Sequence, residues 1–308
     1  MMTATATPQK KENSDAADAI NLEDRLSILD VGSLPQGRVV GAKSSNYFCF
    51  VLETLQELER FKFALASFVI NNLRRRYRRS LLGFAWSLLN PICMMIVLTV
   101  VFGSMFKRDM TSYGLYIFSG MLPWTFIQTA VLTGSGSIIG FETFLKRVYI
   151  PKAFFPLVCL GTEAFNFLFS LVSLFIVAAF VGFKLHTTIL LLPAIIGVTF
   201  LFAFGLVLNF AIATLYFRDL SHILGVAFQV LFYSTPIIYP IAQLPKSIQG
   251  ICYLNPIYHF IALFRAVIYE GRLPTALEWS IAIVLTMTAL GIAFFVLKRT
   301  EKDLVFRL

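Results

Sequence analysis

Five arginines within six residues form the most distinctive chemical cluster of the chain, and we call them the basic block: Arg74, Arg75, Arg76, Arg78 and Arg79. Each guanidinium is a planar fork of N–H donors that binds phosphate oxygens in pairs. The apolar run 92–106 follows closely, and an arginine inside such a run costs about 2.5–3.5 kcal/mol on insertion scales. The basic block therefore predicts the cytoplasmic end of a membrane helix. It is also a candidate site for a phosphate head group at the membrane surface.

A second candidate is a carboxylate inside an apolar run. Glu163 lies in the sequence GTEAFNF, three residues before Asn166. An ionisable group at membrane depth is a functional-site hypothesis by default and is expected to face the interior of a helix bundle. The alternative, which we favour from sequence, is a neutral or hydrogen-bonded structural residue tied to Asn166, Gln128 or Asn209.

The sequence lacks the motifs of a nucleotide-binding, metal-binding or catalytic site. There is no GxxxxGK[ST] motif, so we expect ATP to be bound by another protein, and the glycines of 133–140 are expected to serve helix packing. The three histidines are isolated, and the four cysteines lack metal-type spacing. We therefore expect no catalytic residue, no metal and no cofactor in this chain.

Composition and hydropathy predict an all-α integral membrane protein. The 308 residues are 57% hydrophobic and 14% charged, with a mean hydropathy of +0.76. Six apolar runs can cross about 30 Å of hydrocarbon: 88–106, 115–132, 154–181, 189–215, 223–239 and 279–297. Basic residues follow the second and the last run, so the positive-inside rule puts both termini in the cytoplasm. Much of the net charge of +9 lies beside these runs, which indicates anionic lipid rather than nucleic acid.

The segments between and before the runs complete the predicted organisation. Residues 1–45 read as a disordered cytoplasmic tail, 46–80 as an amphipathic interfacial helix with the basic junction, 81–300 as the six-span domain, and 301–308 as a second tail. In the amphipathic segment the apolar stripe is Val51, Leu55, Leu58, Phe61, Leu65, Phe68 and Val69, and packing in a soluble cap is the alternative. Residues 140–152 predict a short helix on the cytoplasmic face. Residues 236–274 are apolar and broken by prolines, which predicts a re-entrant hairpin at the outer surface between spans five and six.

Six motifs, in order along the chain, resemble the membrane (permease) subunits of type-two ABC exporters for O-antigen, teichoic-acid and capsule-type polysaccharides. They are YRRSLLGFAWSLLNP (77–91), FSGMLPWTF (118–126), FLKRVYIPKAFFPL (144–157), YFRDLSHIL (216–224), STPIIYP (234–240) and LNPIYHFIALFR (254–265). The resemblance covers residues 50 to 300, while the amino-terminal tail has no counterpart and 301–308 match loosely.

The resemblance implies a homodimer in the bacterial cytoplasmic (inner) membrane, with two copies of a nucleotide-binding ATPase that holds ATP and Mg²⁺. The exported ligand would be a glycan on polyprenyl diphosphate, and the basic block would bind that lipid diphosphate. Residues coupling the chain to the ATPase would be Phe144, Lys146, Arg147, Tyr149, Arg218 and Asp219. Pore or gate residues would be Tyr116, Trp124, Phe126, Tyr233, Tyr258 and Arg265, with Arg265 paired to a carboxylate or carbonyl.

Three other functions are alternatives to polysaccharide export. An exporter of a small hydrophobic drug or lipid would not need the amphipathic helix and the basic junction. A membrane glycosyl- or phosphotransferase would need acidic metal ligands at the membrane face, and the sequence shows none. A purely structural membrane anchor would leave the TPIIYP and NPIYH motifs unexplained.

Overall fold

The computed structural model describes residues 46–77, 83–105, 109–147, 149–183 and 186–300. Within these ranges the chain is helical and contains no strand, in agreement with the predicted fold class. The helices are α1 (Tyr47–Arg60), α2 (Lys62–Tyr77), α3 (Trp86–Met105), α4 (Met110–Ser135), α5 (Ser137–Gly140), α6 (Glu142–Arg147), α7 (Phe154–Phe180), α8 (Leu192–Tyr216), α9 (Leu220–Ser234), α10 (Lys246–Leu254), α11 (Pro256–Ile268) and α12 (Ala276–Thr300). The two predicted tails, Arg78 and Arg79 lie outside the described residues.

Five described helices are long and apolar enough to cross a membrane, namely α3, α4, α7, α8 and α12. They coincide with five of the six predicted spans. The predicted span 223–239 corresponds to α9, which has only 15 residues and a length of about 22 Å. It ends at Ser234 because Pro236 pushes the preceding Thr235 into an extended conformation, with φ −95° and ψ 133°. The sixth crossing therefore stays a prediction.

Helix α4 is the centre of the bundle and packs against α3, α7, α8 and α11. Its inner face contributes Phe118, Leu122, Trp124 and Ile127 to the core, where α7, α8 and α11 add further large side chains. Helix α3 contrasts with α4, since most of its apolar side chains are exposed. Such a surface fits a helix that faces hydrocarbon or another protein subunit.

The amphipathic segment forms two helices, α1 and α2, rather than the single helix predicted. The break is at Phe61, and the buried stripe before it is Phe50, Thr54 and Leu58. Leu55 was predicted on this stripe but is exposed, because it lies one position further round the helix than Thr54. Helix α2 packs on α7 and α1 packs on α12. Location at the membrane interface stays a prediction.

Two short helical regions bear on function. Helices α5 and α6 precede Pro151, so the predicted short helix in 140–152 is confirmed, although its cytoplasmic location is not tested. In 236–274 the chain forms α10 and α11, and α11 starts with Pro256 after an Asn255 cap whose Oδ1 accepts from the Ile257 amide at 3.0 Å. The helical pieces of the predicted hairpin are thus present, and its re-entrant placement stays a prediction.

Candidate functional site

A polar cleft of about 450 Å³ opens between α3, α4, α7 and the end of α2. Its polar lining consists of Arg76, Ser87, Asn90, Thr125, Thr129, Glu163, Asn166 and Ser170. Its apolar lining consists of Trp86, Pro91, Met94, Phe118, Met121, Leu122, Phe126 and Phe167. Polar groups that converge in an otherwise apolar pocket are typical of a ligand site.

An ion pair stands at the polar side of this cleft. Arg76 Nη1 donates to Glu163 Oε1 at 3.0 Å, and Asn166 Nδ2 donates to Glu163 Oε2 at 3.0 Å. The Glu163 residue is 5% exposed, whereas the Arg76 side chain is half exposed. The carboxylate is thus held by a charged and a neutral donor, which compensates its burial.

Of the three alternative partners predicted for Glu163, the structure shows one. Asn166 is confirmed, but Gln128 instead accepts from Trp124 Nε1 at 3.1 Å. Asn209 donates to the carbonyls of Gly205 and Ala289 at 2.8 and 3.0 Å. The partner that we missed is Arg76, although a buried carboxylate is expected to pair with a cation.

The structure separates the arginines of the basic block. Arg74, Arg75 and Arg76 occupy the last turn of α2, and all three are exposed or half exposed. Among these three, Arg76 lines the cleft. Of the three described arginines of the block, one therefore lines the cleft and the other two do not.

Phe68 attaches α2 to the short helices that precede Pro151. Its ring lies in edge contact with Phe144 at 5.9 Å, Phe154 at 5.6 Å and Phe155 at 5.9 Å between centroids. Edge-to-face pairs of this kind stabilise a fixed packing arrangement. Helices α2, α6 and α7 therefore share one aromatic cluster.

The predicted ATPase-coupling residues fall into two groups. Phe144 is buried in the Phe68 cluster, so its side chain attaches α6 to the bundle. Lys146, paired with Glu142, and Tyr149, whose Oη donates to Glu57 Oε1 at 3.4 Å, are exposed. Arg218 and Asp219 are exposed between α8 and α9. The Arg147 side chain lies outside the described part of the chain.

The predicted pore residues likewise lie in different environments. Trp124 is 1% exposed and packs against Phe228 and Phe232, so the structure places it in the core of the subunit. Phe126 lines the cleft, and its ring is 5.0 Å from that of Phe167. Tyr233 is exposed at the end of α9, and Tyr258 is half-buried on α11.

Arg265 clamps the segment between α9 and α10. Its Nη1 donates to the Pro236 carbonyl at 2.6 Å, its Nη2 donates to the Ile237 carbonyl at 2.5 Å, and the guanidinium lies 3.9 Å from the centre of the Tyr116 ring. The predicted pairing of Arg265 with a carbonyl is confirmed. Gly120 makes room for it, since a Cβ there would come within 2.7 Å of Nη2.

Neighbouring side chains hold the same segment. Tyr113 Oη donates to the Ile238 carbonyl at 2.6 Å, and Tyr116 Oη donates to the Tyr239 carbonyl at 3.2 Å. Asn255 Nδ2 donates to Thr235 Oγ1 at 2.6 Å. We call residues 235–239 with these contacts the carbonyl strap. It fastens the base of the predicted hairpin to α4 and α11.

Comparison with known proteins gives a consistent result. Residues 64–269 match the family described as ABC-2 type transporter, a range that includes the cleft and the carbonyl strap. The chain is 29% identical to the O-antigen export system permease protein RfbA of Myxococcus xanthus, over 73% of this chain and 88% of the relative. It is 25% identical to RfbA of Klebsiella pneumoniae over 73% and 89%, and 20% identical to the polysialic acid transport protein KpsM of Escherichia coli over 79% and 96%.

Proposed function

Because the chain belongs to the ABC-2 type transporter family, we propose that it is the membrane subunit of an ATP-driven polysaccharide exporter. Its relatives are O-antigen and polysialic acid transport proteins, which supports a glycan as the transported ligand. The glycan is carried on polyprenyl diphosphate, in keeping with a basic block of which Arg76 lines the cleft. ATP hydrolysis takes place in a separate nucleotide-binding subunit, since this sequence has no P-loop.

The observation that carries this proposal is the polar cleft inside an apolar bundle. Burial of hydroxyls, amides and an ion pair in a membrane protein costs free energy. Their interaction with a polar ligand that crosses the membrane offsets this cost. Exporters of purely hydrophobic molecules have no need of such a lining. The combination of cleft and basic block fits an amphiphile with a phosphate and sugars.

The proposed assembly is a homodimer with two ATPase subunits in the bacterial cytoplasmic membrane. The exposed apolar side of α3 supports burial against lipid or a second copy. The exposed residues Lys146, Tyr149, Arg218 and Asp219 are the proposed ATPase contacts. Six crossings, with both termini in the cytoplasm, agree with the distribution of basic residues.

The decisive experiment is transport by the reconstituted complex. The tagged chain is purified together with the ATPase that accompanies it and inserted into liposomes with lipid-linked polysaccharide from the same cells. We expect ATP-dependent movement of the glycan across the bilayer, measured as a change in its accessibility to a glycosidase. ATP-dependent movement of a hydrophobic dye with no movement of glycan would instead establish the drug-exporter alternative.

Topology has a separate test. Lys246, exposed on α10, is changed to cysteine in a cysteine-free parent, and residue 49 keeps its cysteine in a second variant. An impermeant maleimide applied to intact cells should label position 246 and not position 49. The opposite pattern would refute the six-span arrangement.

A further inference from the structure

The cleft is electrically balanced. Among its described lining residues the charged side chains are Arg76 and Glu163, and they form one ion pair. An anionic phosphate near Arg76 would meet the Glu163 carboxylate only 3.0 Å from the guanidinium. The cleft therefore disfavours a phosphate compared with the exposed arginines on the last turn of α2. A neutral polar ligand carries no such penalty.

Three of the four described hydroxyl groups that line the cleft, those of Thr125, Thr129 and Ser170, are arranged as acceptors. Thr125 Oγ1 donates to the Met121 carbonyl at 2.9 Å, Thr129 Oγ1 to the Thr125 carbonyl at 2.7 Å, and Ser170 Oγ to the Asn166 carbonyl at 2.9 Å. A hydroxyl that donates to its own helix presents oxygen lone pairs to other partners. A ligand in the cleft must therefore supply donors. Ionised phosphate oxygens only accept, whereas the hydroxyls of a sugar also donate.

The remaining walls suit the ring of a sugar. Phe126 and Phe167 form an aromatic wall, and the half-exposed Trp86 lies at the rim. Sugar rings combine hydroxyl edges with C–H faces, so they pack against such walls while their edges form hydrogen bonds. The volume of about 450 Å³ is in the range of small-ligand sites.

We propose that the cleft binds one uncharged sugar unit of the transported lipid-linked glycan, while its phosphate stays outside at Arg74 and Arg75. This inference rests on the proposed function. Glu163 and Asn166 contribute both acceptor and donor groups, and Thr125, Thr129 and Ser170 accept from sugar hydroxyls. Arg76 orients the carboxylate and completes a neutral polar surface. The prenyl chain remains in lipid beside α3.

The test separates the parts of the ligand with three probes. The permease–ATPase complex in nanodiscs is titrated with a prenyl glycoside without phosphate, a prenyl diphosphate without sugar, and the prenyl alcohol. Ser170→Phe fills the cleft, and Ser280→Phe places the same side chain on the exposed side of α12 as a control. We expect Ser170→Phe to weaken glycoside binding at least tenfold and to leave diphosphate binding unchanged. Ser280→Phe should change neither.

Glu163→Gln tests whether the ion pair keeps phosphate out of the cleft, and the result is the direction in which diphosphate binding changes. The amide keeps the shape but loses the charge-assisted bond with Arg76. We expect glycoside binding to fall about tenfold, and diphosphate binding to stay within a factor of two. If diphosphate binding instead tightens in Glu163→Gln and disappears in Ser170→Phe, phosphate occupies the cleft and the proposal is wrong. If Ser170→Phe weakens the binding of the prenyl alcohol as much as the binding of the glycoside, the prenyl chain occupies the cleft, and the proposal is again wrong.

A further variant guards against a folding defect in Ser170→Phe, and an export assay distinguishes failure of this inference from failure of the proposed function. Thr129→Val removes an acceptor at nearly constant volume, so it must weaken glycoside binding even if Ser170→Phe fails to fold. Unchanged glycoside binding in Thr129→Val and Glu163→Gln would refute a sugar site. Normal glycan export together with such unchanged binding would reject this inference and leave the proposed function standing. Absence of ATP-driven glycan export by the wild-type complex would reject the proposed function, while the titrations would still report what the cleft binds.

Discussion

Replacement of Gly120 by alanine should open the predicted outer hairpin. A Cβ at this position would lie 2.7 Å from Arg265 Nη2 and 3.1 Å from Cζ, and ordinary contact begins at 3.4 Å. The guanidinium must therefore move by about 0.7 Å, the difference between 3.4 and 2.7 Å. Its bonds to the carbonyls of Pro236 and Ile237, at 2.6 and 2.5 Å, must then lengthen or break.

Complete loss of one of these bonds sets the upper limit of the effect. A hydrogen bond from a charged group contributes about 1.5–3 kcal/mol when it is buried. The helix propensity of alanine does not enter, because α4 stays helical whether the hairpin is closed or open. The closed hairpin is then destabilised by up to about 3 kcal/mol, which corresponds to an increase of up to about 150-fold in the open population. The whole bundle should stay folded, because its other core contacts are untouched.

Cys252 reports this opening. It is 2% exposed, its Sγ contacts the Ser234 carbonyl at 3.5 Å, and burial raises the pKa of its thiol. Labelling by a maleimide therefore requires the hairpin to open, and its rate follows the open population when closing is fast. The parent carries Cys252 as its single cysteine. We expect Gly120→Ala to be labelled faster than the parent at the same pH, by up to about 150-fold.

Gly197→Ala is the matched control. It lies in α8, where a Cβ would meet nothing within 4 Å, so it brings the helix-propensity gain without a contact. It should be labelled at the parental rate. Equal labelling rates in Gly120→Ala, Gly197→Ala and the parent would show that the Arg265 guanidinium does not keep the hairpin closed.

Four further outcomes are expected. Phe68→Ala removes the ring shared by α2, α6 and α7, which should lower the stability of this packing by about 3–5 kcal/mol. A protease should then cleave α2 faster, and an unchanged rate of digestion would contradict this role of Phe68. Lysine at all five positions of the basic block keeps its charge but loses the bidentate fork, so export should fall while insertion stays normal; full export would leave only an anchoring role. Arg147→Glu should abolish co-purification of the ATPase with normal amounts of permease in the membrane, and normal export by this variant would refute the contact. Cross-linking two copies through a cysteine at Tyr258 should stop export without releasing the ATPase, whereas export at the normal rate would show that the hairpin is not a gate.

The helices were predictable because their causes are local. Apolar runs give the five long helices, and prolines give the pieces of 236–274. The partner of Arg265 was predictable in kind, as a carboxylate or a carbonyl, because a buried guanidinium needs acceptors, and the structure supplies carbonyl oxygens. The particular carbonyls depend on the turn at Pro236, which no pattern specifies.

The cleft was not predictable because it joins distant parts of the chain. Arg76 and Glu163 are 87 positions apart, and helical periodicity says nothing about such a pairing. From sequence, Arg76 was expected at the membrane surface and Glu163 was expected separately, as a neutral or hydrogen-bonded structural residue. The break at Phe61 was missed for a related reason, since α1 and α2 change direction to pack on different helices, α12 and α7.

The carbonyl strap sets an order for folding after insertion. Tyr113 and Ile238 are 125 positions apart, and Arg265 reaches back 29 positions to Pro236, so these contacts wait for α4, α9 and α11 together. Until α11 arrives, the carbonyls of Pro236 and Ile237 lack their guanidinium donor, and hydrocarbon cannot hydrogen-bond with them. If this segment takes the re-entrant position predicted for it, the turn after α9 must remain at the water-exposed surface of the nascent bundle. It would then dock only when the Arg265 side chain enters the space kept open by Gly120.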